Sequence, residues 1–217
     1  MSQKVNKAVG AGRWFPGNSA TLLADVQRYI EQATVPALTG RIVASLAPHA
    51  GYQYSGPVAG FTFRAIRELK GDARPEVVVV IGFPHHQSLQ GVALMEGIAI
   101  DTPIGRANLD TESANFLKQQ NPKVIQFDSS YHNGEHSAEN EIPFVQVALP
   151  DIPMVVALIG SGSKDSQPWN VLSDALVELN KKKRVLVVSS TDMLHDEDYD
   201  KVQVTDKRTL SLTEAMD

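Results

Sequence analysis

Residues 76–82 read EVVVVIG, four valines and an isoleucine in unbroken succession closed by a glycine. A strand with one wet face alternates apolar and polar side chains. A run without alternation is covered on both faces, as strands of parallel sheets are. Three further segments have the same character: residues 41–47 (RIVASLA), 154–160 (MVVALIG) and 184–190 (RVLVVSS). All are rich in β-branched residues and stop near Gly, Pro or Ser.

Working outward from these strands, the intervening segments carry helical spacing. Residues 22–33 place Leu22, Leu23, Val26 and Ile30 on one side. Residues 57–70 place Val58, Phe61, Ala65 and Leu69 on one side, with Pro57 at the start. Residues 111–120 follow Asp110 as N-cap. Residues 137–149 are expected to be helical, with a start blurred by Pro143, and residues 169–180 and 202–216 likewise. Residues 91–105 (GVALMEGIAIDTPIG) hold two short apolar runs and are expected to form an antiparallel strand pair at an edge. Alternation of strands and helices predicts an α/β protein, a mostly parallel central sheet with helices on both faces. Residues 1–217 are read as one such domain. The chain stops soon after its last helix, so either the sheet is small or the chain is C-terminally shorter than its natural relatives.

Composition narrows the function. Apolar residues make up 42% of the chain, enough for a sizeable core. The net charge of -5 argues against a nucleic-acid partner, which wants a basic surface. There is no cysteine, which removes disulfides, thiolate metal sites and thiol nucleophiles. The N-terminus has no apolar signal segment, and the apolar runs are far shorter than the roughly 18 residues of a membrane span. A cytoplasmic protein without membrane contact is expected. The Lys181–Lys183 run reads as a solvated turn.

All six histidines fall in expected loops: His49, His85, His86, His132, His136 and His195. Four of them follow strands closely. His49 follows 41–47, His85 and His86 follow 76–82, and His195 follows 184–190 with Asp192 between. In an open α/β sheet the loops after the strands' carboxyl ends gather at one edge, where ligands bind. Imidazoles converging from separate loops suit a metal ion or acid–base work. Asp192 could orient an imidazole, ligate directly, or cap a turn. Glu135-His136-Ser137 could offer free helical N–H groups to an anion, or be a plain capped start. In the loop 51–56, Tyr52 and Tyr54 could donate phenolic hydrogen bonds or merely pack.

Several of these stretches resemble a known family. Residues 47–56 (APHAGYQYSG) are similar to the A-P-H-A-G-Y-x-Y-S-G segment of the Memo family, also called AmmeMemoRadiSam system protein B. Residues 11–16 (AGRWFP) resemble its A-G-x-W-Y-P, residues 82–86 (GFPHH) its G-x-x-H-H, and residues 135–139 (EHSAE), followed by Ile142-Pro143-Phe144, its E-H-S-x-E and L-P-F. Residues 190–195 (STDMLH) resemble S-S-D-x-x-H. The resemblance implies a fold related to class III extradiol non-haem iron dioxygenases. It also implies a metal site built from the first His loop, the His-His loop and a later cysteine. By position His49 and His85 would be ligands, and His195 and Asp192 would line the same pocket. Members are described as metal-dependent redox proteins and as binders of phosphotyrosine peptides, and the second family name implies a functional link to a radical SAM protein. Two departures stand out. No cysteine is available as third ligand, so His195, Asp192 or water would complete the site. Phe83-Pro84 stands where the family has Pro first and then a small residue.

Three readings follow. The first is a redox protein holding a divalent transition metal, Fe(II) ahead of Cu or Zn, and acting on a small substrate. Its metal ligands would be His49, His85 and His195, and its acid–base groups His195 or His86 with Asp192. Tyr54, Glu135, His136 and Ser137 would contact the substrate. The second is a non-catalytic binding module for an anionic ligand or phosphopeptide in the same pocket. The third is a hydrolase that activates water on the metal.

Overall fold

The computed structural model describes residues 3–162 and 167–215. In chain order it contains β1 (Val5–Lys7), α1 (Ser19–Gln32), β2 (Ala44–Ala47), α2 (Tyr52–Arg67), β3 (Val77–Gly82), β4 (Val92–Leu94), β5 (Ala99–Thr102) and β6 (Gly105–Asn108). There follow α3 (Thr111–Gln120), β7 (Ile125–Phe127), α4 (Ile142–Ala148), β8 (Met154–Ile159), α5 (Pro168–Asn180), β9 (Val185–Ser190) and α6 (Tyr199–Ala215).

Six strands form the main sheet in the order β2-β9-β3-β8-β4-β7. β2, β9, β3 and β8 are mutually parallel, and β4 runs antiparallel to β8. The valine run at the centre explains the two-faced burial. Val78 and Val80 of β3 join a core with α1, α2 and α4, whereas Val77 and Val79 join a second core with α3 and α5. Successive strand side chains point to opposite faces, so an unbroken apolar run is what a doubly covered strand requires. The α/β architecture, with helices on both faces of a mostly parallel sheet, is therefore as expected.

Three expectations are corrected. The apolar runs within 91–105 do not pair with each other. β4 enters the main sheet, while β5 joins a separate three-stranded sheet in the order β1-β5-β6, parallel to β1 and antiparallel to β6. The glycine at 97, with φ 117°, turns the chain from one sheet to the other. Secondly, residues 52–56 are not a loop but the first turns of α2, with Pro57 inside the helix. Tertiary contacts hold that start. The Tyr52 N–H donates to Trp14 O at 2.9 Å, and the Tyr52 hydroxyl donates to Asn140 O at 2.6 Å. Thirdly, the helix expected over 137–149 is a 3-10 turn, Glu139–Glu141, followed by α4. The side chains of the turn bond to distant segments.

The register decides where the loops meet. Ala47 of β2 is level with Ser190 of β9, and Ile81 of β3 with Ser189. The chain leaves all three strands at the same edge, two or three residues before His49, His85 and Asp192. Gly82 permits the close approach of the segment carrying His136. A Cβ there would fall on Ser137 Oγ and Ala138 N. α6 presents no buried residue. No helix among the described residues is long and apolar enough to cross a membrane.

Candidate metal centre

His49 is held at three points. Its N–H donates to Asp192 Oδ1 at 3.0 Å, its carbonyl accepts from Asn140 Nδ2 at 2.6 Å, and ring Nδ1 lies 2.9 Å from Ser190 Oγ. Its side chain is fully buried. After β3, the Phe83 backbone is clamped by one hydroxyl: Ser137 Oγ donates to Phe83 O at 2.7 Å and accepts from Phe83 N–H at 3.0 Å. His85 follows, and Glu135 holds both its backbone and its ring. The His85 N–H donates to Glu135 Oε2 at 2.6 Å, and His85 Nδ1 lies 2.9 Å from Glu135 Oε1.

His136 is the third imidazole. One nitrogen from each of His49, His85 and His136 lies within 4.8 Å of the other two. The His49 ring is edge-on to both partners, with centroids 5.4 Å from His85 and 5.7 Å from His136, and the His85 and His136 rings stack at 4.6 Å. Trp14 covers His136 from the other side, parallel to within 1° at 3.6 Å.

The three histidines are close enough to hold a metal ion, and their chemistry suits one. Metal–imidazole bonds of about 2.0–2.1 Å put tetrahedral donors roughly 3.4 Å apart, so the rings need to close by little more than an ångström. His49 Nε2 is buried and has no hydrogen-bond partner among the described residues, and the same holds for His136 Nδ1. Buried polar atoms are nearly always satisfied, so an orphaned imidazole nitrogen facing two others asks for a bound group. Burial disfavours protonation of His49 and lowers its pKa, against the pull of Asp192. Burial also brings His136 down to about 4, against the attraction of Glu135. Neutral imidazoles keep the lone pair that a metal needs. Burial pushes the Glu135 carboxyl up, but hydrogen bonds from His85 N–H, Ser137 N–H and the His85 ring outweigh it and leave the group at about 2.

The segment 135–141 organises the whole edge. Glu135 holds His85, Ser137 holds Phe83, and Asn140 holds the His49 carbonyl. Glu139 accepts from Val9 N–H at 3.0 Å and Gly10 N–H at 2.6 Å, which anchors the strand end leading to Trp14. Glu141 accompanies Ser190, which contacts His49.

The residues singled out in the sequence divide accordingly. His49 and His85 come together, and His136, expected to touch substrate, stands in the group where His195 was expected. His195 lies outside it, its side chain 79% exposed and its Nε2 3.3 Å from Asp192 Oδ2. Asp192 is beside the group, with Oδ2 3.8 Å from His49 Nε2. The ring of His86 is 6.1 Å from that of His85 and the residue is exposed. Tyr54 is 74% exposed on the first turn of α2. Glu135 and Ser137 are buried, and their polar atoms are committed to His85 and Phe83 rather than to an anion. His132 is buried, with Nε2 3.1 Å from Ala93 O. Sequence reasoning missed Asn140 and Glu141. Their signal was polar residues set directly against the apolar Ile142-Pro143-Phe144, where burial demands partners.

Comparison with known proteins places this chain in a family. The family model described as Memo-like protein matches residues 6–217. A MEMO1 family protein of Pyrobaculum aerophilum is 30% identical over 216 residues, covering 96% of this chain and 75% of its own length. Another from Methanothermobacter thermautotrophicus is 30% identical, covering 98% of this chain and 78% of its own. A third, from Methanopyrus kandleri, is 34% identical over 179 residues, and the match spans 60% of its own length. The chain belongs to the Memo-like protein family.

Proposed function

We propose that this protein binds a divalent transition metal through His49, His85 and His136 and serves redox chemistry on a small organic substrate. The observation that carries the reading is the buried, unpartnered His49 Nε2 within reach of two further imidazoles. Three imidazoles would leave positions open on a metal, and Fe, Cu and Zn all accept imidazole ligands. When bound, such a metal supplies electrons or polarises a coordinated oxygen.

The chain's own groups do the rest. Glu135 fixes His85 with Nδ1 engaged, leaving Nε2 as the ring's other nitrogen. Trp14 and Phe83 set aromatic rings against the imidazoles, a surface that favours a flat apolar substrate. Asp192 Oδ2 sits between His49 and the exposed His195, and can pass a proton between the site edge and solvent through the His195 ring.

Titration of metal-free protein with Co(II) and Fe(II) tests the ligand set. Wild type and His195→Ala are expected to bind one equivalent, whereas His49→Ala and His136→Ala lose binding. Retention of full affinity by His136→Ala would overturn the assignment. For the redox reading, Fe(II)-loaded protein should take up dioxygen with catechol-type substrates and Zn(II)-loaded protein should not. Equal behaviour of the two would sink it.

A further inference from the structure

Ser190 Oγ has three polar neighbours: Ser137 O at 2.6 Å, Glu141 Oε1 at 2.8 Å and His49 Nδ1 at 2.9 Å. A hydroxyl has one proton to give and two lone pairs to accept with. The Ser137 carbonyl can only accept, and it is the nearest, so the hydroxyl proton points there. The other two contacts must then be donated to Ser190. His49 can donate from Nδ1–H. Glu141 can donate only as a carboxylic acid.

Any other distribution leaves a collision. An ionised Glu141 would claim the hydroxyl proton, and the Ser137 carbonyl would then face an oxygen lone pair at 2.6 Å. In a buried site that contact costs as much as a lost hydrogen bond or more. A second observation agrees. Glu141 is 1% exposed and its Oε2 has no hydrogen-bond partner among the described residues, an environment that accepts an acid far more readily than a carboxylate. Burial accordingly lifts its pKa to about 8, against the lowering effect of its contact with Ser190.

We propose that Glu141 is a neutral carboxylic acid that donates to Ser190 Oγ, and that this relay fixes His49 with its proton on Nδ1 and its lone pair on Nε2. Glu141 is thus a positioning residue acting through Ser190. Its consequence for metal capture rests on His49 being a ligand, as proposed above. The protonation pattern itself belongs to the metal-free protein. The nitrogen facing His85 and His136 is then permanently basic, and capture needs no tautomer change.

Long-range 1H–15N spectra of metal-free, 15N-histidine-labelled protein report which ring nitrogen of His49 carries the proton. Infrared difference spectra between wild type and Glu141→Gln report the protonated carboxyl stretch. Wild type should show Nδ1–H at His49 and a protonated carboxyl at neutral pH. Glu141→Gln, whose amide also donates to Ser190, should keep the tautomer and bind Co(II) within about threefold of wild type. Glu141→Ala should mix the tautomers and bind Co(II) about 10-fold more weakly, the size of effect seen when a ligand's outer partner is removed. An ionised carboxyl, an Nε2–H His49 in wild type, or a Gln variant that mixes tautomers would each overturn the proposal. The infrared and wild-type arms decide it even where Glu141→Ala fails to fold. If the tautomer is as stated and Co(II) does not bind, the metal reading fails and the relay stands.

Discussion

Glu135 grips His85 at two points at once, its Oε2 accepting from the backbone N–H at 2.6 Å and its Oε1 lying 2.9 Å from ring Nδ1. The same Oε1 also accepts from the N–H groups of His136 and Ser137, each at 2.8 Å. One carboxylate therefore sets the backbone and ring of one imidazole and the backbone of the next.

Glu135→Gln is expected to be far from conservative. The four contacts come from N–H groups, and an amide NH2 in place of either oxygen would oppose a donor with a donor. Metal affinity should fall roughly 10–100-fold, as for other outer-shell partners, with a stability loss of about 1–3 kcal/mol from the unsatisfied buried N–H. Co(II) titration and urea unfolding measure the two effects. Unchanged affinity would show that His85 needs no such orientation.

Trp14 should report occupancy directly. The chain has two tryptophans, and Trp14 stacks at 3.6 Å on His136. In a Trp169→Phe background the remaining emission comes from Trp14, and Cu(II) or Co(II) bound at His136 should quench most of it. His136→Ala should abolish the quenching. Metal binding without any quenching would place the ion elsewhere.

Acid should destabilise the fold partly through His132. Burial lowers its pKa from 6.5 to about 4, against the hydrogen bond to Ala93 O. The folded state holds it neutral, so its contribution is complete above pH 6.5 and is lost as pH falls from 6.5 towards 4. The shift corresponds to about 3 kcal/mol at 1.36 kcal/mol per unit. His132→Gln, which retains an N–H for Ala93 O, should lose less stability than wild type between neutral pH and pH about 4.5. Urea midpoints at the two pH values provide the comparison. Parallel losses in both proteins would remove His132 as a cause.

Much of the framework was legible because strand burial writes itself into local composition. The run 77–82 is apolar at every position, so its burial on two faces could be read without knowing its neighbours. The short pieces were not legible. Val92–Leu94 and Ala99–Thr102 look alike as apolar triplets and quartets, yet they belong to different sheets. Nothing local distinguishes them, since pairing is chosen by distant strands.

The sequence alone determined the α/β class, the four parallel strands β2, β3, β8 and β9, and a loop-borne histidine group after their carboxyl ends. These depend on side-chain hydrophobicity and chain order, which are local properties. Only the tertiary structure decided that His136 rather than His195 completes the close group, and that Glu135 and Glu141 serve the imidazoles. The physical reason is burial. A carboxyl group costs free energy when desolvated unless it is hydrogen-bonded or neutral. Which partner satisfies it depends on segments about 50 residues apart being pressed together.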